Sequence, residues 1–202
     1  MVGWLVFGLM LVAIAAVIYG LRRLDHFLSL TRPIQADVMV MEGWMPDETK
    51  KQVLQQYWQG GYRRLIVTGG PISHGAFLTE YKNHADLGLA TLIALGMDPA
   101  EVVAIPTPRA ACYRTAAAAL SLKQYICQEG ITGFNLYSCG SHTRRSYYIF
   151  RQVFSPDVAV GAVAMPTGFY DPDRWWTTSH GFRAVVSEAI AYLYVRLIRW
   201  RD

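Results

Sequence analysis

Phe134-Asn135-Leu136-Tyr137-Ser138-Cys139-Gly140-Ser141-His142-Thr143-Arg144-Arg145-Ser146 begins as an apolar run that reads as a strand, Phe134 to Ser138, passes through a glycine and opens a helical pattern, Tyr147 to Val153. A strand that feeds directly into a helix is the repeating unit of a parallel sheet, because parallel neighbours need a crossover of a dozen or more residues. The junction also carries chemistry. The first N–H groups of a helix have no intrahelical acceptor, and the helix dipole makes that end positive. Arg144 and Arg145 add donor forks suited to phosphate or carboxylate, and His142 adds a group that titrates near neutrality. A helix cap at Ser141 with both arginines in solvent would account for the same residues without a ligand.

The same alternation runs outward in both directions. Upstream, Asp37 to Met41 reads as a buried strand, Asp47 to Gln59 as a helix ending at Gly60-Gly61, and Leu65 to Thr68 as a strand ending in Gly69-Gly70-Pro71. Leu78 to Leu95 reads as a helix stopped by Gly96, Val102 to Ile105 as a strand, and Tyr113 to Cys127 as an Ala-rich helix. Downstream of the junction helix, which ends at Phe154, come a strand from Val158 to Val163 and a helix from Phe182 to Trp200. Alternating strands and helices predict an α/β fold: a three-layer, doubly wound, Rossmann-like sandwich around a mostly parallel sheet of about five strands. Residues 37–202 form one such domain, with an amphipathic C-terminal helix.

Residues 1–21 contain no charged side chain. Val2 to Leu21 as a helix would be roughly 30 Å long, which matches the hydrocarbon core of a bilayer. The expectation is a single transmembrane anchor over residues 1–24, with Trp4 and Tyr19 at the interfaces, and a connection over residues 25–36 in which Pro33 breaks any helix. A secretory signal peptide fits less well, since there is no basic n-region and no small-x-small site follows. Arg22, Arg23 and Arg32 follow the span and nothing basic precedes it, so the positive-inside rule places the domain in the cytoplasm. The bilayer is therefore one expected partner, and the inner membrane the expected location.

The net charge of +4 is spread without a Lys/Arg run, which gives nucleic-acid binding no footprint. Arg196, Arg199 and Arg201 suit acidic lipid headgroups or, equally, a solvated helix end. Cys112, Cys127 and Cys139 have no metal-ligand spacing and leave an odd one over, so they predict core or near-core thiols. His74, His84 and His180 have no ligand spacing with His142, and no metal is expected.

Ligands of doubly wound sheets bind at the carboxyl ends of the strands, and those ends hold the least ordinary residues here. Gly69 and Gly70 lack a Cβ and would let the backbone approach an anion, although a Gly pair after a strand also makes a simple turn. Glu42 follows the first strand at the centre of the sheet, where it would serve as a general base, a ribose ligand or a metal ligand, or simply pair with Arg114. Arg114-Thr115 is a second strand-to-helix junction bearing Arg. Two such helix starts facing one cleft argue for an anion more strongly than either alone. Glu80 and Asn83 are expected to begin the helix after the Gly pair and face the same edge. There is no G-x-G-x-x-G, no P-loop and no G-x-S-x-G nucleophile elbow.

With these loops placed, the chain resembles the YdcF, SanA and ElyC family of bacterial proteins over roughly Ala36 to Met165. The matching segments are Leu65 to Gly70, Gly96-Met97 before Val102, Arg114-Thr115 with Ala118, and Ser138 through His142 to Arg145. The last fits the family pattern Ser-x-x-x-His-x-x-Arg. The chain departs from many members at Glu42-Gly43-Trp44-Met45-Pro46-Asp47, where they carry a Gly-rich loop, and its Trp175-Trp176 and Ser187-Glu188 region looks like a subgroup feature. The resemblance implies a Rossmann-like domain, often membrane-anchored, linked to cell-envelope physiology, and its ElyC branch implies a domain outside the cytoplasmic membrane, against the charge rule.

The leading expectation is a membrane-anchored envelope protein whose cleft binds a phosphorylated ligand, lipid-linked or a small molecule. In it Gly69, Gly70, Arg114, Thr115, Ser138, Arg144 and Arg145 bind the ligand and Glu42 with His142 transfers protons, as phosphoester or pyrophosphate hydrolysis requires. The alternatives are an enzyme that binds a nucleotide or S-adenosylmethionine, and a binding or scaffold protein without chemistry. No cofactor is specified by any motif.

Overall fold

The computed structural model describes residues 2–73, 78–110 and 112–198, without the side chains of Val2 and Leu5. The expected positions of His74, Arg199, Trp200 and Arg201 lie outside that set. Five strands, β1 (Val38–Glu42), β2 (Arg64–Gly69), β3 (Val102–Pro106), β4 (Gly133–Cys139) and β5 (Ala159–Met165), form one sheet in the order β3-β2-β1-β4-β5. Every pairing is parallel. The expected α/β fold around a mostly parallel sheet of about five strands is found, with all five strands parallel.

Side-chain alternation along the strands divides the core into two layers. Val38, Val40, Ile66, Phe134 and Leu136 pack beneath α5 (Arg114–Gln128) and α6 (Thr143–Phe154), where Phe134, Phe150 and Phe154 form an aromatic cluster. Met39, Met41, Leu65 and Val67 point to the opposite layer, against α3 (Asp47–Gln59) and α4 (His84–Ala94). Strand β1, central and wholly buried, is apolar until its last residue. That residue is Glu42, which alternation turns toward the α5 and α6 layer.

The chain runs outward from β1 to β2 and β3, then crosses back to β4 and β5. The carboxyl ends of β1 and β4 therefore flank the topological switch point, where adjacent crossovers leave in opposite directions and open a crevice. Glu42 and the Gly140–His142 turn stand on its two sides. Gly140 itself has φ +42°, and a Cβ there would lie 2.7 Å from the Thr167 side chain.

Two helix boundaries differ from the sequence expectation, each because of a cap. Helix α4 begins at His84 rather than Leu78, since the Asn83 side chain accepts from the Asp86 N–H. Ahead of it, Asn83 bridges back to Pro71, so Glu80 lies outside the helix. Helix α7 (Ser179–Leu197) begins three residues earlier than its apolar pattern because Thr178 caps it, accepting from Gly181 N–H. Cys139 is buried as expected, whereas Cys112 and Cys127 are exposed.

At the N-terminus α1 spans Val2–Arg22 and is followed by α2 (Leu24–Leu28). Among the described residues, which in α1 leave out the side chains of Val2 and Leu5, no helix is long and apolar enough to cross a membrane. The segment expected to be a connection is docked on the domain. Leu28 and Asp25 are buried, Arg32 bridges Ala162, and Asn135 hydrogen-bonds both the N–H and the carbonyl of Ile34. A polar side chain inside β4 is thus explained by the backbone it satisfies.

Close approach of α4 to β1 makes Gly43 a packing residue. A Cβ there would lie 2.2 Å from the His84 carbonyl oxygen, and Gly88 on α4 faces Gly43 Cα in turn. Gly43→Ala is expected to cost about 3 kcal/mol, the upper end of typical overpacking, seen as a lower urea midpoint at unchanged m-value. A midpoint within error of wild type would show that α4 can move away freely.

Candidate active site

Register builds the centre of the site. Glu42 is aligned with Thr68 on β2, and continuing the β1–β4 pairing past Met41 and Tyr137 aligns it with Ser138. The Ser138 hydroxyl donates to Glu42 Oε2. Helix α6 completes the shell, because residues three and four apart share a helix face. Ser146 Oγ donates to Glu42 Oε1 at 3.1 Å, and His142 Nε2 lies 3.5 Å from the same oxygen. Glu42 is 4% exposed, so its charge depends on these partners.

The imidazole is held from its other side by α7. His142 Nδ1 is 2.9 Å from Glu188 Oε1, while Arg145 reaches Glu188 through Nε at 2.8 Å and a second nitrogen at 3.1 Å. Arg145 also donates to Thr115 Oγ1 at 3.3 Å, tying in the start of α5. The result is one line, Glu42, His142, Glu188, Arg145, Thr115, drawn from β1, the end of β4, α7, α6 and α5. Trp44 stands edge-on to the imidazole, ring centres 5.1 Å apart.

Burial opposes charge on each of these groups, and the ion pairs outweigh it. Desolvation would raise the Glu42 carboxyl, yet the charge and hydrogen bond of His142 with the two serine hydroxyls hold it below its ordinary 4.5. Glu188 is likewise desolvated but is brought down to about 2 by His142 and Arg145. Burial would neutralise His142, and the two carboxylates instead raise it to about 9. At neutral pH the ring is therefore an imidazolium between two carboxylates. Arg145 also lies 2.9 Å from His142 Nδ1, a contact that is attractive only with a neutral ring. With the ring charged, Nδ1–H donates to Glu188 and the guanidinium is held by that carboxylate.

A cleft of about 510 Å³ opens beside the imidazolium. Trp44, Phe169 and Tyr170 give it aromatic walls, and His180 and Arg183 supply further basic groups. Cys139 also borders it but is no nucleophile, since burial and the Glu42 charge push its thiol up to about 12. On the other flank of Glu42 the carboxyl ends of β1 to β3 gather Lys50, His84 and Arg114. Burial lowers the His84 pKa, and the charges of Lys50 and Arg114 lower it further. The Thr68 hydroxyl there is buried without a hydrogen-bond partner.

No family model, curated protein or solved structure matches the chain. The resemblance to YdcF-like proteins therefore rests on the quoted residues alone, and the chemistry rests on the geometry.

Of the expected site residues, Glu42, His142, Ser138, Arg145 and Thr115 come together. Glu42 does not pair with Arg114, which is exposed at the start of α5. Gly69 serves packing, since a Cβ would lie 2.7 Å from His84 Cβ, whereas Gly70 faces open space. Arg144 is directed away from the network, toward α2, where it lies over the Phe27 ring at 3.9 Å and donates to the Phe27 carbonyl. Glu188 and Ser146 are the two members that sequence reasoning did not assign. For Glu188 the signal is a carboxylate interrupting the apolar pattern Val185, Val186, Ala189, Ile190, and for Ser146 its place four residues after His142. Among the described residues, no group of three or more His, Cys, Asp or Glu side chains is arranged to hold a metal ion.

Proposed function

We propose that this chain is a membrane-anchored, YdcF-like envelope protein that binds a phosphorylated ligand in the switch-point crevice and hydrolyses its phosphoester. The carrying observation is the imidazolium of His142, fixed between the buried carboxylate of Glu42 and the part-buried one of Glu188 at the wall of an aromatic cleft. A cation held in place before the ligand arrives stabilises the charge that develops on phosphoryl oxygens without reorganisation. In the hydrolysis water attacks the phosphorus, Glu42 takes the water's proton as the base, and the His142 imidazolium, held in place by Glu188, gives its proton to the departing ester oxygen as the P–O bond breaks. Arg183 and His180 suit the anionic group, and Trp44 and Phe169 suit an apolar or planar remainder.

Anchoring is supported by α1 itself. The helix has 21 residues whose only charge is Arg22, and Leu9, Val12 and Val17 on it are all more than half exposed. An isolated helix with apolar side chains all round is stable when lipid covers it.

The aromatic walls also fit the base of a nucleotide, so the test compares both classes. The full chain in detergent is titrated with a polyprenyl phosphate, with soluble phosphomonoesters and with nucleotides, and thermal unfolding is followed. A true ligand at a hundred times its dissociation constant stabilises by about 2.7 kcal/mol. The proposal expects this with a phosphorylated ligand, together with phosphate release that His142→Gln abolishes. Stabilisation by nucleotides alone would replace it with the nucleotide reading, and full function in a His142→Gln, Arg145→Gln double variant would leave only a scaffold.

A further inference from the structure

A second groove, about 580 Å³, shares no lining residue with the cleft beside His142 and lies between the last turn of α1 and the 3-10 helix Pro172–Thr177. Arg22, Arg23 and Arg174 line it, together with Tyr19 and Trp176. Two of its cations are oriented by aromatic rings. The Arg22 guanidinium lies 5.6 Å from the centre of the Trp176 ring, and that of Arg23 lies 5.8 Å from Tyr19. Among the described residues none of the three arginines pairs with a carboxylate. Asp173, the acid at the rim, is engaged by His26 Nε2 at 2.8 Å. Three exposed guanidiniums line the groove against the single carboxylate of Asp173.

The place of the groove identifies the anion. It begins where the uncharged run of α1 ends, so with α1 across a bilayer it stands at the depth of the phosphates. Tyr19 and Trp176 are amphipathic rings of the kind that settle at that depth. We propose that this groove holds the phosphodiester of an anionic glycerophospholipid, with guanidinium forks on its oxygens. The inference rests on the membrane-spanning reading of α1. Its consequence is orientational. The 3-10 helix leads directly into α7, which carries Arg183 and Glu188, so a headgroup clamped at Arg174 fixes how the cleft faces the bilayer.

The test uses the full chain in nanodiscs of phosphatidylcholine with a minor fraction of phosphatidylglycerol, read by native mass spectrometry. Wild type should retain one phosphatidylglycerol. Arg22→Gln with Arg174→Gln should retain it roughly 25-fold less well, since each arginine near an anionic surface is worth about fivefold. Arg174→Lys should recover part of the loss. Arg32→Gln, outside the groove, should behave as wild type, and an equal loss there would reduce the effect to diffuse charge and overturn the site. Equal unfolding temperatures in phosphatidylcholine alone exclude a folding defect in the double variant. Displacement of the lipid by millimolar inorganic phosphate would assign the groove to a soluble anion and overturn the lipid. Alkaline carbonate extraction separates the two readings: release of the chain from membranes sinks the anchor, whereas a retained chain without bound phosphatidylglycerol sinks only the headgroup site.

Discussion

Glu42→Ala should lower stability by about 3–5 kcal/mol, the range for removing one partner of a buried ion pair. The size follows from what is left behind. Ser138 and Ser146 would lose their acceptor, and His142 would lose the carboxylate that does most to keep it charged. Urea unfolding at pH 7 measures the loss. Glu42→Gln should recover much of it, because the amide oxygen still accepts from the serines, yet it cannot serve as a base. If phosphate release survives in Glu42→Gln while His142→Gln is inactive, the base is another group. If Glu42→Ala unfolds at the wild-type midpoint, the carboxylate is not held by Ser138, Ser146 and His142.

Stability should also show a plateau in pH with two separate flanks. For Glu188 the folded value of about 2 lies below the ordinary 4.5, so its contribution is complete above pH 4.5 and lost as pH falls toward 2. For His142 the folded value of about 9 lies above the ordinary 6.5, so its contribution is complete below pH 6.5 and lost as pH rises through 9. Each flank amounts to about 3 kcal/mol, and the two draw on the same ion pairs, so they do not add. Thermal unfolding from pH 3 to pH 10 traces the profile. His142→Gln should flatten the alkaline flank and leave an acid flank, since Arg145 still holds Glu188. An alkaline loss that persists in His142→Gln would locate the titrating group elsewhere.

Most of the scaffold was legible in the residues because parallel strands are buried on both faces and read as continuous apolar runs. Helix α3 has the expected bounds, and β1 to β5 each lie within two residues of theirs. The boundaries that moved, at α4 and α7, did so where a side-chain cap outweighed the apolar period. Arg144 shows the limit of reading a motif residue by residue. It and Arg145 are adjacent in sequence, yet successive helix positions point about 100° apart, so one joins the network and the other packs on Phe27.

By itself the sequence determined the order of strands and helices, the glycines at their ends, and the charged residues that gather at the carboxyl edge of the sheet. These follow from local rules of periodicity, capping and turn chemistry. Only the tertiary structure decided which of those charges meet. Glu188 lies far along the chain from His142 and reaches it because α7 returns across the switch point, and Thr68, Glu42 and Ser138 line up through strand register. Charge on buried groups is decided by such encounters, since a few ångströms of separation set whether a carboxylate offsets the cost of desolvation.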